Sequence, residues 1–345
     1  MTLPGKFSVT VIIVNYNGGA FIQTALDHLR TQTTPATEII IVDNASTDRS
    51  ADRLDLSGLQ GARLVRLEEN LGFAAANNLA AREARGDWLA LLNPDTEADG
   101  AWLEQLCEAA ARHPQATCFA SAQIDAADPR RLDGAGDCYS VVGFPWRGGF
   151  GNSVELMPEE GECFSPCGAS MFIRKDTFMK AGGFDESYFC YCEDVDLGYR
   201  LRLAGGTCIF VPSAIILHHG SATTGRYSEF TVRLGTRNRL TTYLKNTPLL
   251  LLIASLPAHV LMTGVLYVSA IGTSKARSIR LGLGEALARL PETMKARARV
   301  QRGKKLSSLQ ISRAMSWSVL RMGRRRCHVW KAKTVSPVAD APSTT

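Results

Sequence analysis

The stretch Val9-Thr10-Val11-Ile12-Ile13-Val14-Asn15-Tyr16-Asn17 decides the fold of this chain. Its first six residues are all β-branched, and such a short run indicates a strand that is buried on both faces. The following residues 20–30 carry apolar side chains at helical spacing. A strand followed by a helix is the start of a βα unit, whose strands pair in parallel.

The same alternation continues along the chain. Further strands are predicted at residues 38–42, 64–67, 88–92, 117–124, 170–173, 208–212 and 214–218, and helices at 72–85, 102–112 and 194–204. Residues 126–165 are rich in Gly, Pro and aromatic residues, which indicates loops and short strands over a site. The fold class is therefore α/β, with a mostly parallel, Rossmann-like central sheet and helices on both faces.

Polar clusters follow three of the predicted strands. They are Asn15-Tyr16-Asn17, Asp43-Asn44 and Asn93-Pro94-Asp95. Ligands of parallel sheets bind at the carboxyl ends of the strands, so these clusters are expected to meet in one crevice.

The charge of the chain is uneven. Residues 275–345 hold 17 Lys or Arg and 3 Asp or Glu, a net charge of +14, whereas the preceding 274 residues carry a net charge of −8. A basic tail on an acidic body favours a polyanionic partner, either membrane lipid or nucleic acid. The tail has few aromatic residues for base stacking, so a nucleic acid partner is not expected.

The nine cysteines are scattered, and no signal peptide is visible before residue 9. Both observations favour reduced thiols in a cytosolic compartment. The pairs Cys163/Cys167 and Cys190/Cys192 have no matching second pair, so a zinc site is not expected.

Residues 249–271 contain no charged side chain and are long enough to cross a bilayer. One crossing would place the body and the basic tail on opposite sides of the membrane, although both are expected in the cytoplasm. We therefore expect a re-entrant or interfacial helical hairpin bent at Pro257. The alternative is a buried core helix of a soluble protein. Residues 281–305 alternate Leu or Ala with Arg or Lys, which predicts an amphipathic helix on an anionic membrane.

Four regions follow from these patterns. They are a catalytic domain at 1–235, a helix and apolar membrane-associated segment at 236–275, a basic amphipathic helical tail at 276–333 and a disordered end at 334–345.

Several motifs together resemble family 2 glycosyltransferases of the GT-A fold, in their rhamnosyltransferase-like branch. They are residues 11–17 and 42–48, Asn70-Leu71-Gly72-Phe73-Ala74 with Asn77-Asn78, Leu91-Leu92-Asn93-Pro94-Asp95, Gly168-Ala169-Ser170-Met171, residues 182–186 and Glu193-Asp194-Val195-Asp196-Leu197. Their order and spacing hold across residues 8–223.

The resemblance implies an inverting transfer of a sugar from a dTDP- or UDP-linked donor, with rhamnose as the best guess and a galactosyl or glucosyl transfer as alternatives. Asp43 would accept a hydrogen bond from the imide N–H of the base, and Tyr16 would pack on the base ring. The remaining donor-site residues would be Asn15, Asn44, Asn70, Gly72, Asn78, Asn93 and Asp95.

A divalent cation, Mg²⁺ or Mn²⁺, would neutralise the diphosphate, with Asp95 as its ligand. Many relatives carry two acids here, whereas this chain has Asn93-Pro94-Asp95. His218 is carried over as a further metal ligand, and a structural histidine is the alternative.

Asp194 is the expected general base, assisted by Glu193. The neighbouring carboxylates Glu193 and Asp196 should raise its proton affinity, and an apolar aromatic lid should add to that effect. The acceptor would bind at Gly168, Ala169 and Asp196. With one base and no nucleophilic acid in a matching motif, a single displacement with inversion is expected.

The acceptor is expected to be a lipid-linked saccharide at the cytoplasmic face of the plasma (inner) membrane, with the enzyme peripheral or monotopic and its product in cell-surface polysaccharide. A catalytically inert, membrane-docked sugar-nucleotide-binding module is the competing hypothesis. A dehydrogenase is disfavoured because no Gly-x-Gly-x-x-Gly follows the first strand, and a nucleotidyltransferase because no basic, Gly-rich loop does.

Overall fold

The computed structural model describes residues 7–220 and 228–332. The strands in these residues are β1 Val9–Asn15, β2 Glu38–Asp43, β3 Ala62–Arg66, β4 Trp88–Leu92, β5 Thr96–Ala98, β6 Cys118–Asp125, β7 Leu132–Ala135, β8 Asp137–Tyr139, β9 Pro145–Arg147, β10 Gly161–Cys163, β11 Ser170–Arg174 and β12 Cys208–His218. The helices are α1 Phe21–Arg30, α2 Gly72–Glu83, α3 Trp102–Arg112, α4 Lys175–Lys180, α5 Glu193–Leu203, α6 Glu229–Asn246, α7 Leu249–Ser269, α8 Ser274–Ala288, α9 Leu290–Gly303, α10 Ser308–Ser312 and α11 Val319–Gly323.

The central sheet has the strand order β10-β12-β6-β11-β4-β1-β2-β3, with β5 paired to β12 and β7 to β6. The strands β1, β2, β3 and β4 pair in parallel. β11 runs antiparallel between β4 and β6, which makes the sheet mixed but mostly parallel. This is the GT-A arrangement that the sequence predicts.

The two faces of β1 belong to two different cores. Val11 and Ile13 pack with residues of α1 and α3, whereas Ile12 and Val14 pack with residues of α2 and α5. Both sets are almost completely buried, because successive side chains of a strand point to opposite faces and both faces are covered by helices. The β-branched run that predicted the strand is thus explained by burial on both sides.

The predicted strands and helices of the first 125 residues are confirmed to within a few residues. The predicted strands at 208–212 and 214–218 form one strand, β12, with an irregular register between Val211 and Ile215. Pro212 lies inside this irregularity, where a missing N–H is tolerated. Residues 126–165 hold the short strands β7 to β10, as expected.

The predicted hairpin at Pro257 is wrong. α7 runs without interruption from Leu249 to Ser269 and contains Pro257. Its Leu251, Ser255 and His259 face the protein, and the His259 ring stacks on Tyr243 at 4.1 Å. In the described residues α7 is the one helix that is long and apolar enough to cross a membrane, with a mean hydropathy of 2.1. Only 22% of its most apolar window is buried, so the core-helix alternative does not fit.

The basic tail forms two helices where one was predicted over 281–305. α8 ends at Ala288 and α9 begins at Leu290-Pro291, because a proline has no N–H to continue the helix. Small residues of α8 (Ser278, Gly282 and Ala286) are buried, and a Cβ on Gly282 would lie 2.4 Å from the carbonyl oxygen of Arg233 in α6. The predicted boundary at 235 falls inside α6, and the predicted disordered end lies outside the described residues.

Candidate active site

The carboxyl ends of β1, β2 and β4 open into a cavity of about 1230 Å³. That volume exceeds the roughly 300–1,000 Å³ of a pocket for one small ligand, so two substrates can be accommodated together. The predicted site residues in its wall are Tyr16, Asn44, Asn70, Gly72, Asn93, Asp95, Gly168, Ala169, Glu193, Asp194 and His218. Four predicted residues are not part of this wall: Asn15, Asp43, Asn78 and Asp196.

Asn15 is a correction to the predicted donor contacts. It is fully buried, and its Nδ2 donates to Asp43 Oδ1 at 3.1 Å and to Ser50 Oγ at 2.9 Å. It therefore orients Asp43. The two residues are neighbours because each is the last residue of its strand, β1 and β2, and these strands are paired. Asp43 lies directly behind Asn44 and is 5% exposed, so the wall here consists of Tyr16 and Asn44. The contact of Asp43 with a base stays a prediction.

The loop before α2 is held in shape by paired asparagines. Asn44 Nδ2 donates to Asn70 Oδ1 at 2.9 Å, and Asn70 Oδ1 also accepts from the Gly72 N–H at 2.9 Å. Gly72 has a φ of 83°, and a Cβ there would lie 2.6 Å from Phe189. Only glycine fits this combination of backbone conformation and close approach.

Asn78 is a second correction. Its Nδ2 donates to the carbonyl of Phe184, and its Oδ1 accepts from the N–H of the same residue, both at 2.9 Å. It is 5% exposed. Asn78 thus holds the loop that leads to the aromatic segment, and both hydrogen-bonding ends of its amide are occupied.

Asp95 and His218 meet in the cavity wall, as predicted for two ligands of one cation. The Nε2 of His218 lies 3.4 Å from Asp95 Oδ1, and its Nδ1 is hydrogen-bonded to Asp133 Oδ2 at 2.6 Å. This Nε2 is buried and has no well-formed hydrogen bond within residues 7–220 and 228–332. Burial opposes the charged imidazolium, but the hydrogen bond to Asp133 and the nearby carboxylate of Asp95 raise the pKa of His218 above its usual value.

An imidazole nitrogen and a carboxylate oxygen suit a divalent cation, and His218 Nε2 and Asp95 Oδ1 lie close enough together to share one. Asp133 would orient the histidine ring from behind, as metal-bound histidines usually require. The residues present therefore fit Mg²⁺ or Mn²⁺.

Asp194 stands at the beginning of α5 in the cavity wall. Its Oδ2 accepts from the N–H of Gly168 at 2.8 Å and its Oδ1 from the N–H of Val195 at 2.8 Å. Burial raises the pKa of Asp194, although these backbone bonds act in the opposite direction. The expected direction is confirmed, and its largest cause is burial, the contribution expected of an apolar lid, whereas Glu193 and Asp196 are not among the main causes.

Glu193 is 5% exposed, and its Oε2 has no hydrogen-bonding partner in the described part of the chain. Burial, and next the charge of Asp194, raise the pKa of Glu193 well above the usual value. Both carboxyl groups of the pair therefore hold a proton more strongly than exposed carboxyl groups do.

Asp196 is a third correction, because it faces away from the cavity. It is completely buried and accepts from Lys245 Nζ at 2.7 Å, Arg200 Nε at 2.8 Å and Asn246 Nδ2 at 2.7 Å. Burial works against the carboxylate, but Lys245 and Arg200 lower the pKa of Asp196 below its usual value. Asp196 joins α5 to α6 and is not part of the wall where the acceptor would bind.

Three further polar residues in the wall were not predicted: Asp137, Arg147 and Cys167. Asp137, Cys167 and Asp194 have ligand atoms within 4.8 Å of one another, and Arg147 pairs with Asp133 beside them. Burial, and next the charge of Asp194, raise the pKa of Asp137 well above the usual value. Asp133, Asp137 and Arg147 belong to β7, β8 and β9, whose sequence lacks periodicity, so no signal marked them.

The aromatic segment before α5 closes this side of the cavity. Phe189, Tyr191 and Cys192 all have positive φ, between 65° and 70°. Asn238 of α6 holds them by donating from Nδ2 to the carbonyls of Tyr188, Cys190 and Tyr191. Such strained backbone persists only where the surroundings enforce it, and it often marks functional sites.

Comparison with known proteins gives consistent matches. The sequence profile described as "Glycosyl transferase family 2" matches residues 10–179, and that of "Glycosyl transferase family group 2" matches residues 146–279. The chain is 30% identical over 239 residues to N-acetylglucosaminyl-diphospho-decaprenol L-rhamnosyltransferase of Mycobacterium tuberculosis, covering 63% of this chain and 77% of that protein.

Two solved structures share the fold at low sequence identity. GalNAc-T7 with UDP, GalNAc and Mn²⁺ has a TM-score of 0.56 at 17% identity, over 70% of this chain and 48% of that one. S. aureus TarS 1–349 with UDP-GlcNAc has a TM-score of 0.51 at 15% identity, over 90% and 93%.

Proposed function

The chain belongs to glycosyltransferase family 2 and is a nucleotide-sugar-dependent glycosyltransferase, and from this we propose an inverting transfer of rhamnose to a lipid-linked saccharide for cell-surface polysaccharide. One observation carries the proposal: Asp95 and Asp194 line the same cavity. The name of the Mycobacterium tuberculosis relative supports both the sugar and the lipid-linked acceptor.

The donor would lie along the wall that Tyr16, Asn44 and the Asn70–Gly72 loop form. Tyr16 is 36% exposed and offers its ring to a pyrimidine base, and Asp43, oriented by Asn15, would accept from the base at the edge of this wall. These contacts suit dTDP or UDP. The positive end of the α2 dipole borders this wall at Gly72 and Phe73 and favours the negative charge of a diphosphate.

Asp95 and His218 would hold the divalent cation, with Asp133 behind the histidine. When bound, the cation offsets the charge that develops on the leaving nucleoside diphosphate. Asn93 lies two residues before Asp95 and contributes to the same wall. The presence of Mn²⁺ in the GalNAc-T7 structure supports this choice of ion.

Asp194 would act as the general base. It takes the proton from the acceptor hydroxyl, whose oxygen attacks the anomeric carbon while the bond to the diphosphate oxygen breaks on the opposite face. The configuration is therefore inverted. Gly168 and Ala169 would border the acceptor, and Glu193, whose pKa burial raises well above its usual value, would assist Asp194 as its neighbour.

The enzyme would bind the cytoplasmic face of the plasma membrane, as a peripheral or monotopic protein. Large apolar side chains of α7 support this, since Leu250, Ile253, Leu261 and Val268 are each more than 60% exposed. The basic tail of α8 and α9 would meet anionic lipid headgroups. The predicted regions 1–235, 236–275 and 276–333 remain our division of catalytic and membrane-facing parts.

A donor panel tests the function. The purified chain is given Mg²⁺ or Mn²⁺, one nucleotide sugar at a time and a saccharide-diphospho-lipid acceptor, and the release of nucleoside diphosphate is measured. We expect release with dTDP-rhamnose and inverted configuration in the product by NMR. If only a galactosyl or glucosyl donor is turned over, that sugar replaces rhamnose as the assigned donor sugar. No turnover with any donor would favour the inert binding module, and a retained configuration would overturn the single displacement.

A further inference from the structure

The catalytic cavity extends beyond the residues that the sugar transfer needs. Its wall also includes Met262 and Leu266 of α7 and Val319 and Met322 of α11. These four side chains are apolar, and Leu266 and Val319 are 45% and 61% exposed. Two helices thus present an apolar groove that opens directly into the cavity of Asp194.

The loop around β9 joins this groove to the catalytic residues. Arg147, in the middle of the loop, pairs with Asp133 behind His218. At one end of the loop the Phe144 ring packs against His259 of α7, with ring centroids 5.3 Å apart. At the other end Phe150 lies under the guanidinium of Arg325, 4.9 Å from its Cζ.

Arg325 is held at the mouth of the groove by its backbone. It follows α11, lines the cavity and has a φ of 49°. Its carbonyl accepts from the N–H of Gly149 at 2.7 Å, and its own N–H donates to the carbonyl of Met322 at 3.0 Å. A non-glycine residue with this φ is strained, so the surrounding contacts impose this position for the side chain.

A second cation stands behind the loop. Arg239 of α6 is 9% exposed, its Cζ lies 4.0 Å over the Phe144 ring, and its Nη1 has no hydrogen-bonding partner within the described residues. No ion pair neutralises it in that part of the chain. Burial lowers the pKa of Arg239 to about 10, so it remains charged at neutral pH behind Phe144, although it is not itself part of the cavity wall.

We propose that the groove between α7 and α11 binds the first isoprene units of a polyprenyl-diphosphate-linked acceptor, with the diphosphate at Arg325. The apolar groove suits the hydrocarbon chain, and the guanidinium of Arg325 in the cavity wall suits the diphosphate at its head. The outer face of α7 is also apolar, so the chain can reach the groove from a membrane. This inference rests on the proposed function and adds the site that selects the acceptor lipid.

The test uses the full chain in detergent and two acceptors with the same saccharide diphosphate. One carries a long polyprenyl chain and the other a single short alkyl group. Leu266→Gln is compared with Leu261→Gln, an exposed leucine of α7 outside the cavity wall. We expect Leu266→Gln to raise KM for the long-chain acceptor about tenfold. KM for the short acceptor and for the donor should stay unchanged, as should all constants of Leu261→Gln.

The charge is tested with Arg325→Gln against Arg324→Gln, since Arg324 is exposed but not part of the wall. Arg325→Gln should raise KM for both diphosphate acceptors and leave the KM of the donor unchanged. Equal changes of the acceptor KM in Leu266→Gln and Leu261→Gln would mean that α7 contacts only the bilayer, and would overturn the proposal. An unchanged acceptor KM in Arg325→Gln would overturn it as well. If the unaltered protein releases no nucleoside diphosphate from any donor, the proposed function itself has failed.

Discussion

The carboxylate of Asp194 accepts a hydrogen bond from the backbone N–H of Gly168 at 2.8 Å. Gly168 lies just before β11, which is paired with β4, whereas Asp194 lies at the start of α5. The bond therefore ties the base to the central sheet, and the N–H of Val195, which donates to the other carboxylate oxygen at 2.8 Å, fixes the second side of the group. A base held in this way needs little reorganisation when the acceptor arrives.

Replacing Asp194 by asparagine tests its role as the base. The amide preserves the shape but cannot take a proton, so kcat should fall by about 10²–10⁴, the usual contribution of general base catalysis. Donor binding, measured by titration with the nucleoside diphosphate, should stay within twofold of the unaltered protein. Asp176→Asn makes the same chemical change at an exposed residue of α4 and should keep full activity. An active Asp194→Asn enzyme would remove the assignment.

The pH dependence of the reaction should report the environment of Asp194. Burial raises its pKa above the ordinary 3.8, and the group must be ionised to accept a proton. Activity should therefore be lost as the pH falls through a value higher than that of an exposed aspartate. The measurement is kcat/KM for the acceptor against pH. An acid limb at 3.8 or below would contradict the burial argument, and the limb should disappear in the residual activity of Asp194→Asn.

Asp133→Asn tests the support of the metal site. Asp133 touches His218 on the side away from Asp95, so its removal should loosen the ring without removing a ligand. Loss of such a partner typically weakens metal binding by about 10–100-fold. Calorimetric titration with Mn²⁺ in the presence of a nucleoside diphosphate measures it. Asp128→Asn, on the exposed loop before β7, is the control and should bind Mn²⁺ normally. An unchanged affinity for Mn²⁺ in Asp133→Asn would contradict the role of His218 as a metal ligand and favour a structural histidine.

The sequence was most informative where strands end. Tyr16, Asn44 and Asp95 follow buried apolar strands, and a parallel sheet brings such positions to one edge, so their meeting could be predicted without coordinates. Asp194 was found through its motif, and its burial came from the aromatic segment beside it. The assignment of Asn15 and Asn78 to the donor site failed, because an amide at the end of a strand or on a helix can equally well hydrogen-bond to other groups inside the protein.

Other features had no sequence signal. Asp133 and Arg147 lie on short strands without periodicity, and their pairing depends on how β7 and β9 fold over the sheet. Asp196 belongs to the same short motif as Asp194, but helical geometry turns it about 200° away and towards Lys245. The continuous helix α7 was missed because a proline in a helical segment usually indicates a bend, whereas α7 contains Pro257 without interruption.

Gly72→Ala should disturb the donor loop. The substitution places a methyl group 2.6 Å from Phe189 on a backbone with a φ of 83°. Strain of this kind costs on the order of 1–3 kcal/mol. We expect a lower Tm and a raised KM for the donor, with the KM of the acceptor less affected. Gly284→Ala, in α8 with nothing within 4 Å, should keep the donor KM and gain slightly in stability. Equal behaviour of the two variants would contradict the packing argument.

The ion pair between Lys245 and Asp185 should make folding sensitive to acid. Lys245 Nζ lies 2.7 Å from Asp185 Oδ2; burial opposes the carboxylate, but the ammonium and the bonds from Ser187 hold the pKa of Asp185 at about 2. Because the pKa is lower in the folded chain than in the unfolded chain, this stabilisation is present above about pH 4 and is lost as the pH falls towards 2. The shift corresponds to about 2 kcal/mol of unfolding free energy.

Asp185→Asn should therefore lower the unfolding free energy at pH 7 by up to about 2 kcal/mol and flatten its decline below pH 4. Urea unfolding followed by circular dichroism at pH 7, 5, 4 and 3 measures both effects. The matched control is Asp176→Asn, whose partner Lys180 is 79% exposed, and an exposed pair of this kind should contribute less than about 1 kcal/mol. Lys245 keeps its second partner, Asp196, in either variant, so the α5–α6 contact should survive. If Asp185→Asn unfolds with the same acid dependence as the unaltered chain, the pair does not stabilise the fold.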